Sequence, residues 1–138
     1  MVKTKKYYSN LIERFFTNSG WNPLPFQIKS WNSYLNGDDG IIQAPTGFGK
    51  TYAAIMGPLS RICDLEEKEG INILLITPLK ALSRDLKNTI NSAAKYFDEE
   101  ITVGIRNGDT SPYEKKKQVL NPPNILITTP ESLSLLLS

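Results

Sequence analysis

Residues 43–52 read QAPTGFGKTY, in which two glycines flank a phenylalanine and a lysine and a threonine follow directly. The pattern A-x-x-x-x-G-K-T is a P-loop with alanine in place of the usual first glycine. Gly47 and Gly49 allow the backbone to turn so that successive N–H groups point at phosphate oxygens. Lys50 would then reach the β- and γ-phosphates of ATP, and the Thr51 hydroxyl would bind Mg²⁺. The alternative is a glycine turn with an incidental lysine.

The pattern of apolar residues around this stretch predicts an α/β fold with a mainly parallel sheet flanked by helices. Residues 40–44 (GIIQA) are predicted as a short buried strand that ends at the P-loop, and a helix is predicted from Gly49 to about Glu67. INILLITP (71–78) is apolar without alternation, which is typical of a parallel strand covered on both faces. Further strands are predicted at 101–105 and 124–128, and further helices at 7–18, 26–35, 79–97, 111–120 and from 129. We expect at least three parallel strands, at 41–43, 72–77 and 125–128.

Composition excludes several classes of protein. The chain has 138 residues, a formal net charge of +2, no histidine and one cysteine, Cys63, which is expected to be a buried thiol. A disulfide framework, a histidine metal site and a histidine-containing triad are therefore excluded. No signal peptide and no apolar run of membrane-spanning length is found, so we expect a cytoplasmic protein that does not enter a membrane.

Four blocks of sequence occur in a specific order: GWNPLPFQ (20–27), APTGFGKT (44–51), TPLKALSRDL (77–86), and RNGDTS (106–111) with ITTPESLSLLL (127–137). They resemble the Q motif and motifs I, Ia, Ic and Ib of the first RecA-like domain of superfamily 2 helicases. The likeness is greatest to the Lhr (large helicase-related) type, especially its ligase-associated DExH-box branch. The resemblance implies a partial RecA-like P-loop domain, with an N-terminal helix in residues 1–20 and the Q motif through motif Ib in 21–138.

The residues before the P-loop are candidates for reading adenine. The resemblance implies this role for Gln27, whose side-chain amide can pair with adenine N6 and N7 together. Trp21 or Phe26 could stack on the base. The alternatives are that these aromatics, with Trp31, belong to the core and that Gln27 is a solvated loop residue. The predicted nucleotide-binding set is Trp21, Phe26, Gln27, Thr46, Gly47, Phe48, Gly49, Lys50 and Thr51, with Lys50 and Thr51 also predicted to act in catalysis.

Three segments that follow predicted strands are candidates for holding a nucleic-acid backbone, because open α/β sheets bind ligands at the carboxyl ends of their strands. Helix starts offer N–H groups to phosphates, and glycine allows close approach of the backbone. Such contacts do not read sequence. The alternative for TPESL is an ordinary helix cap, and the lysine run 115–117 is most simply a solvated helix face. The predicted residues are Pro78, Leu79, Lys80, Gly108, Asp109, Thr129, Pro130 and Glu131.

The sequence also lacks parts that the resemblance implies for ATP hydrolysis. No acidic Walker B motif and no second RecA-like domain with an arginine finger is present. We therefore expect residues 1–138 to be the amino-terminal part of an ATP-dependent helicase or translocase acting on DNA or an RNA–DNA hybrid, and to be inactive alone. The resemblance implies work in DNA repair, with a DNA ligase and a nuclease as partners. The alternatives are a nucleotide-gated nucleic-acid-binding module without motor activity and an unrelated P-loop ATPase.

Overall fold

A computed structural model describes the backbone of residues 2–138 and the side chains from Asn10 onward. The chain divides into two compact units, one that ends at Leu65 and one that runs from Glu66 to Ser138. The described helices and strands are α1 (Val2–Asn18), α2 (Pro25–Leu35), α3 (Lys50–Cys63), β1 (Ile73–Ile76), α4 (Lys80–Phe97), β2 (Val103–Arg106), α5 (Pro112–Leu120), β3 (Ile125–Thr128) and α6 (Pro130–Leu137). Within residues 2–138, no helix combines the length and the apolar sequence that crossing a bilayer requires.

The first unit is a cluster of three helices with an aromatic core. Helix α1 contributes Ile12, Phe15 and Phe16, which are all buried. The ring of Phe16 packs edge-on against that of Trp31 on α2, with 5.4 Å between the centroids. Trp31 is 4% exposed and therefore belongs to the core, as one of the alternatives from the sequence has it. Its indole N–H donates to the backbone carbonyl of Tyr52 on α3 at 2.9 Å.

Helix α3 is shorter than predicted, because it ends at Cys63 rather than near Glu67. The backbone N–H groups of Asp64 and Leu65 bond to carbonyls three residues back, at 3.2 and 3.0 Å, and this tighter turn closes the helix. Cys63 is half-buried at that end, so the expectation of a fully buried thiol is wrong.

The predicted strand at residues 40–44 is wrong. These residues are neither helix nor strand, and Ile41 is 91% exposed. A strand is defined by the neighbour with which it exchanges backbone hydrogen bonds, and no strand of residues 2–138 pairs with this stretch. The apolar sequence GIIQA therefore stays extended without joining a sheet.

The second unit contains a three-stranded parallel sheet in the order β1-β3-β2. The predicted strands 72–77 and 125–128 are confirmed as a parallel pair, and the third strand is the one predicted at 101–105. Strand β3 lies in the middle and is buried along its whole length, as its apolar sequence predicts. Helix α4 packs on β2 and β3, with Ile90, Ala93 and Ala94 fully buried.

Strand β1 differs from the prediction of a strand covered on both faces. Leu74 and Ile76 are half-exposed while Ile73 and Leu75 are more enclosed, so burial alternates along the strand. The strand is the outer one of the described sheet.

The amino-terminal edge of the sheet is held together by one buried side chain, that of Asn124. Its Oδ1 accepts from the backbone N–H of Thr102 at 3.0 Å, and its Nδ2 donates to the carbonyl of Lys68, to that of Gly70 and to Asn72 Oδ1. These partners are the residues that lead into β1 and β2. Asn124 therefore joins the starts of all three strands, at the edge of the sheet opposite the predicted contacts.

Candidate functional site

The P-loop of the first unit has the backbone that the sequence predicts. Gly47 and Gly49 have φ values of 85° and 82°, in the left-handed region that glycine adopts without strain. Gly49 is also the residue before α3, so Lys50 and Thr51 lie in the first helical turn. Consecutive N–H groups at a helix start form an anion-binding arrangement. Thr46 and Phe48, the other predicted loop residues, are exposed.

Neither functional side chain of that first turn has an internal partner. Within the described residues, no hydrogen bond or ion pair engages the Lys50 ammonium or the Thr51 hydroxyl. Lys50 is exposed beside a shallow cleft of about 490 Å³ that residues 42–45 also line. An unpaired lysine and an unpaired hydroxyl at a helix start leave both groups available to a phosphate and its metal ion.

The side chain of Gln27 is buried and bonded to the backbone on both sides. The side chain is 3% exposed, so it is not a solvated loop residue. Its Oε1 accepts from the backbone N–H of Leu24 at 2.8 Å, and its Nε2 donates to the carbonyl of Gly49 at 3.1 Å. Both ends of the amide are therefore bonded to backbone. The signal that was missed is positional, because a glutamine two residues after a proline at the first helical position is a capping residue.

An aromatic cleft of about 480 Å³ lies beside the P-loop, within the same unit. Trp21 is 47% exposed there, and its ring centroid is 5.4 Å from that of Tyr52. Burial raises the pKa of the Tyr52 hydroxyl, which keeps it protonated and able to donate. The cleft is lined by Phe16, Gly20, Trp21, Asn22, Leu24, Gln27, Gly47, Phe48, Gly49 and Tyr52.

Of the two aromatic residues predicted to stack on a base, only Trp21 lies in this cleft. Phe26 instead lines a separate cleft between α2, α3 and residues 37–43. Adjacent positions on a helix point in different directions, which separates Phe26 from its neighbour Gln27. The structure thus groups Trp21 and Gln27 with the P-loop and leaves Phe26 out.

In the second unit, the three strands end at the same level. The register pairs Ile76 of β1 and Arg106 of β2 with Thr128 of β3. The segments that follow them therefore begin at one edge of the sheet, and these are the segments 78–80, 108–109 and 129–131 that the sequence predicts. The structure brings together two of the predicted residues directly, because Lys80 Nζ lies 3.5 Å from Asp109 Oδ1.

The loop after β2 is fixed by Asn107, a residue for which the sequence predicts no role. Its Oδ1 accepts from the N–H of Asp109 at 2.9 Å, and its own N–H donates to Thr110 Oγ1 at the same distance. The N–H of Thr110 returns to the carbonyl of Asn107 at 3.1 Å. Asparagine after a strand and before Gly-Asp is a turn signal that could have found it. Gly108 remains exposed at the tip of this turn.

The helix starts at this edge are capped to different degrees. Thr129 is buried and its hydroxyl accepts from the N–H of Ser132 at 3.4 Å, so the helix-cap interpretation of TPESL describes this threonine. Ser111 caps α5, and its hydroxyl accepts from the N–H of Glu114 at 3.1 Å. Leu79 precedes α4 and offers no side-chain cap. The first N–H groups of α4 are thus without a capping side chain, while Pro78, Pro130 and Glu131 are exposed nearby in sequence.

Comparison with known proteins identifies relatives of both units. The profile of the DEAD/DEAH box helicase family matches residues 24–138. The chain is 36% identical over 143 aligned positions to the Lhr helicase/probable uracil glycosylase of Mycolicibacterium smegmatis, covering 95% of this chain and 10% of that protein. It is 42% identical over 109 positions to the ATP-dependent helicase Lhr-Core of Sulfolobus acidocaldarius, covering 72% of this chain and 12% of that protein.

A solved structure resembles most of the chain. The Mycobacterium smegmatis helicase Lhr bound to ssDNA and AMP-PNP superposes with a TM-score of 0.83 at 36% identity, over 92% of this chain and 17% of that one. The predicted α/β class and the resemblance to Lhr-type helicases are confirmed, whereas the ligase-associated branch stays a prediction. The chain spans about a tenth of the length of the curated relatives named here.

Proposed function

Since the chain belongs to the DEAD/DEAH box helicase family, we propose that it supplies the ATP-binding loop and part of the nucleic-acid contact of an ATP-dependent helicase or translocase. The observation that carries the proposal is the P-loop. Two left-handed glycines lead into α3, and the side chains of Lys50 and Thr51 at its start have no partner among the described residues. Family membership argues against the alternative of an unrelated P-loop ATPase.

The residues of the first unit fit ATP with Mg²⁺. Backbone N–H groups at the start of α3 would hold the phosphates, and the ammonium of Lys50 would neutralise charge on the β- and γ-phosphates. Mg²⁺, when bound, would supply further positive charge at those phosphates, and the free hydroxyl of Thr51 is the ligand that this chain would offer it. The described residues contain no group of three acidic, histidine or cysteine side chains that would hold a metal ion by itself.

Adenine would lie in the aromatic cleft beside the P-loop. Trp21 presents almost half of its surface there, and an indole face is a stacking platform for a purine. Gln27 lines the same cleft, but its amide is already bonded to Leu24 and Gly49. Each bond uses only part of the amide, because Nε2 carries a second N–H and Oε1 a second lone pair. The amide could therefore pair with adenine while it keeps both bonds, and stacking on Trp21 would add to that contact.

The edge at the carboxyl ends of the three strands would hold a nucleic-acid backbone. The uncapped start of α4, the exposed Gly108 and the Lys80 ammonium are all suited to phosphate rather than to base edges. Contacts to phosphates do not depend on the base sequence, and a motor that moves along nucleic acid of any sequence requires such contacts. Single-stranded DNA is the first probe to use, because the similar Lhr structure contains it. An RNA–DNA hybrid as substrate, a role in repair, ligase and nuclease partners and a cytoplasmic location belong to the proposal as implications of the resemblance.

Hydrolysis of ATP by the full-length protein that carries this sequence tests the proposal. We expect turnover that rises on addition of single-stranded DNA and is abolished by Lys50→Ala, because the lysine contributes about 1.5–3 kcal/mol to charge-assisted phosphate binding even before the reaction begins. The matched control is Lys29→Ala, an exposed lysine on α2 outside the P-loop, which should leave turnover unchanged.

Two results would contradict the proposal in different ways. Turnover that survives Lys50→Ala would show that the P-loop is not the nucleotide site. ATP binding that depends on Lys50 but is accompanied by no turnover, with or without a nucleic-acid strand, would favour the nucleotide-gated binding module over the motor.

A further inference from the structure

The ion pair between Lys80 and Asp109 connects two segments that follow non-adjacent strands. Lys80 begins α4 after β1, Asp109 lies in the loop after β2, and β3 separates these strands in the sheet. Neighbouring strands are about 4.8 Å apart, so the two segments start about two strand spacings from each other. The pair therefore reaches across the carboxyl end of β3, in the middle of the edge where the proposed function places a phosphate backbone.

Asp109 is held at this position by its loop. Its backbone N–H is bonded to Asn107 Oδ1, and Asn107 is itself buried and bonded to Thr110. The next residue back, Gly108, lies close to the same ammonium, because a Cβ added there would lie 3.4 Å from Lys80 Nζ, an ordinary contact distance. The position of Asp109 opposite Lys80 is thus supported by the backbone of its own loop.

A carboxylate at this edge opposes the binding of a polyanion. It repels backbone phosphates directly, and it neutralises Lys80, the basic residue among those predicted to contact the strand. The pair is also easily broken, because its side chains are 54% and 78% exposed and exposed ion pairs contribute little to stability. A phosphate can therefore replace the carboxylate at small cost, and the carboxylate can return when the phosphate leaves.

We propose that Asp109 is an internal competitor of the nucleic-acid backbone, whose carboxylate occupies Lys80 in the free protein and is displaced by a phosphate when a strand binds. This inference rests on the proposed function of the same edge. It adds to that function a means of regulating how tightly the nucleic acid is bound. The Lys80 ammonium exchanges the Asp109 carboxylate for a backbone phosphate and is never left unpaired. Binding is weaker than the lysine alone would allow, and each phosphate is released more readily.

The test is a double-mutant cycle in the full-length protein, with a fluorescent oligo-dT strand as the probe. The dissociation constant is measured over a range of salt concentrations for the wild type, Asp109→Asn, Lys80→Gln and the double variant. Asparagine keeps the size of the side chain and leaves the backbone bond to Asn107 intact. We expect Asp109→Asn to tighten binding about three-fold at low salt, with a smaller gain at high salt because exposed charges are screened.

The dependence on Lys80 is what identifies competition. In the Lys80→Gln background the gain from Asp109→Asn should fall to half or less, because there is no ammonium left to release. The matched control is Glu131→Gln, an acidic residue at the same edge with no ion pair within the described residues. Its carboxylate makes no ion pair with Lys80, so the effect of its removal should be the same whether or not Lys80 is present.

The possible results of these binding measurements distinguish failure of the competitor role of Asp109 from failure of the proposed function. A gain from Asp109→Asn that is equal in both backgrounds would overturn competition and leave plain repulsion. Weaker binding by Asp109→Asn would also overturn it, since Asp109 would then contact the strand itself. A wild-type protein that binds no oligo-dT at any salt concentration would overturn the proposed function. Binding that depends on Lys80 but is indifferent to Asp109 would overturn the competitor role alone.

Discussion

The side-chain amide of Gln27 donates a hydrogen bond to the carbonyl of Gly49, 22 residues further along the chain, at 3.1 Å. A Cβ added at Gly49 would lie 2.5 Å from that same amide nitrogen. The second P-loop glycine therefore has two independent reasons to be a glycine, its left-handed backbone and the close approach of Gln27.

Replacing the two P-loop glycines separates these reasons. Gly47 has a similar φ, and nothing lies within 4 Å of the position that its Cβ would take. We expect Gly47→Ala to lower the free energy of unfolding by about 1 kcal/mol, the cost of a left-handed alanine. Gly49→Ala should lose at least about 1 kcal/mol more, because Gln27 must also leave its place. Urea unfolding of the 138-residue chain measures both, and equal losses would contradict the role assigned to Gln27.

Asn124 should be among the most sensitive positions of the second unit. Asn124→Ala removes several hydrogen bonds of one buried amide, those to Thr102, to Asn72 and to the carbonyls of Lys68 and Gly70. We expect a loss of about 3 kcal/mol in the free energy of unfolding. Asn121→Ala, at an exposed asparagine at the end of α5, is the control and should change stability by less than about 0.5 kcal/mol. A loss as small as that of the control would show that the amide does not hold the strands together.

What the sequence could predict was local. Ser111 before Pro112 and Thr129 before Pro130 signal helix starts within four residues, and both caps form. The P-loop could likewise be predicted from its glycines alone, because its backbone conformation does not depend on residues far along the chain. The strands 73–76, 103–106 and 125–128 were also predicted, because a run of branched apolar residues is a local signal.

What the sequence could not predict depends on partners far along the chain. Residues 40–44 have the composition of a strand, but pairing decides whether a strand forms. The multiple bonds of Asn124 and the meeting of Lys80 with Asp109 follow from the order β1-β3-β2, which local patterns do not contain. The engaged amide of Gln27 was missed for the same reason, since one of its partners is Gly49.

Acid should weaken the second unit through Asp98. A hydrogen bond from the backbone N–H of Glu100, and then contact with Lys68, lower the pKa of the Asp98 carboxyl. A lowered pKa in the folded state means that the charged form contributes stability above the unfolded value of about 3.9 and loses it as the pH falls through the folded value. We expect the free energy of unfolding to fall more steeply below about pH 4 in the wild type than in Asp98→Asn. Parallel pH profiles for the two proteins would contradict this assignment.

The 138-residue chain by itself should not hydrolyse ATP, with or without single-stranded DNA. None of its three described strands is followed directly by an Asp-Glu pair. The chain also supplies no arginine finger, and removal of that arginine from related sites lowers the rate about 10³–10⁵-fold. Lys50 and Thr51 would help to bind the phosphates, but neither side chain would activate the attacking water. Phosphate release by the purified chain should equal that of its Lys50→Ala variant. Turnover above that control, stimulated by DNA, would mean that a carboxylate of these residues acts on the attacking water.

The position of β3 in the middle of the sheet also constrains the order in which the second unit folds. Among the described residues β1 and β2 pair only with β3, so no hydrogen bond between these three strands can form before β3 has been synthesised. The contact of β3 with β2 closes the shorter loop, since Thr102 and Asn124 are 22 residues apart, whereas Asn72 and Asn124 are 52 apart. Shorter loops cost less entropy to close, so β2 and β3 should pair first and β1 should join them. Until β1 joins, Lys80 and Asp109 cannot form their ion pair. The edge of the sheet that would bind a nucleic-acid backbone is therefore completed last.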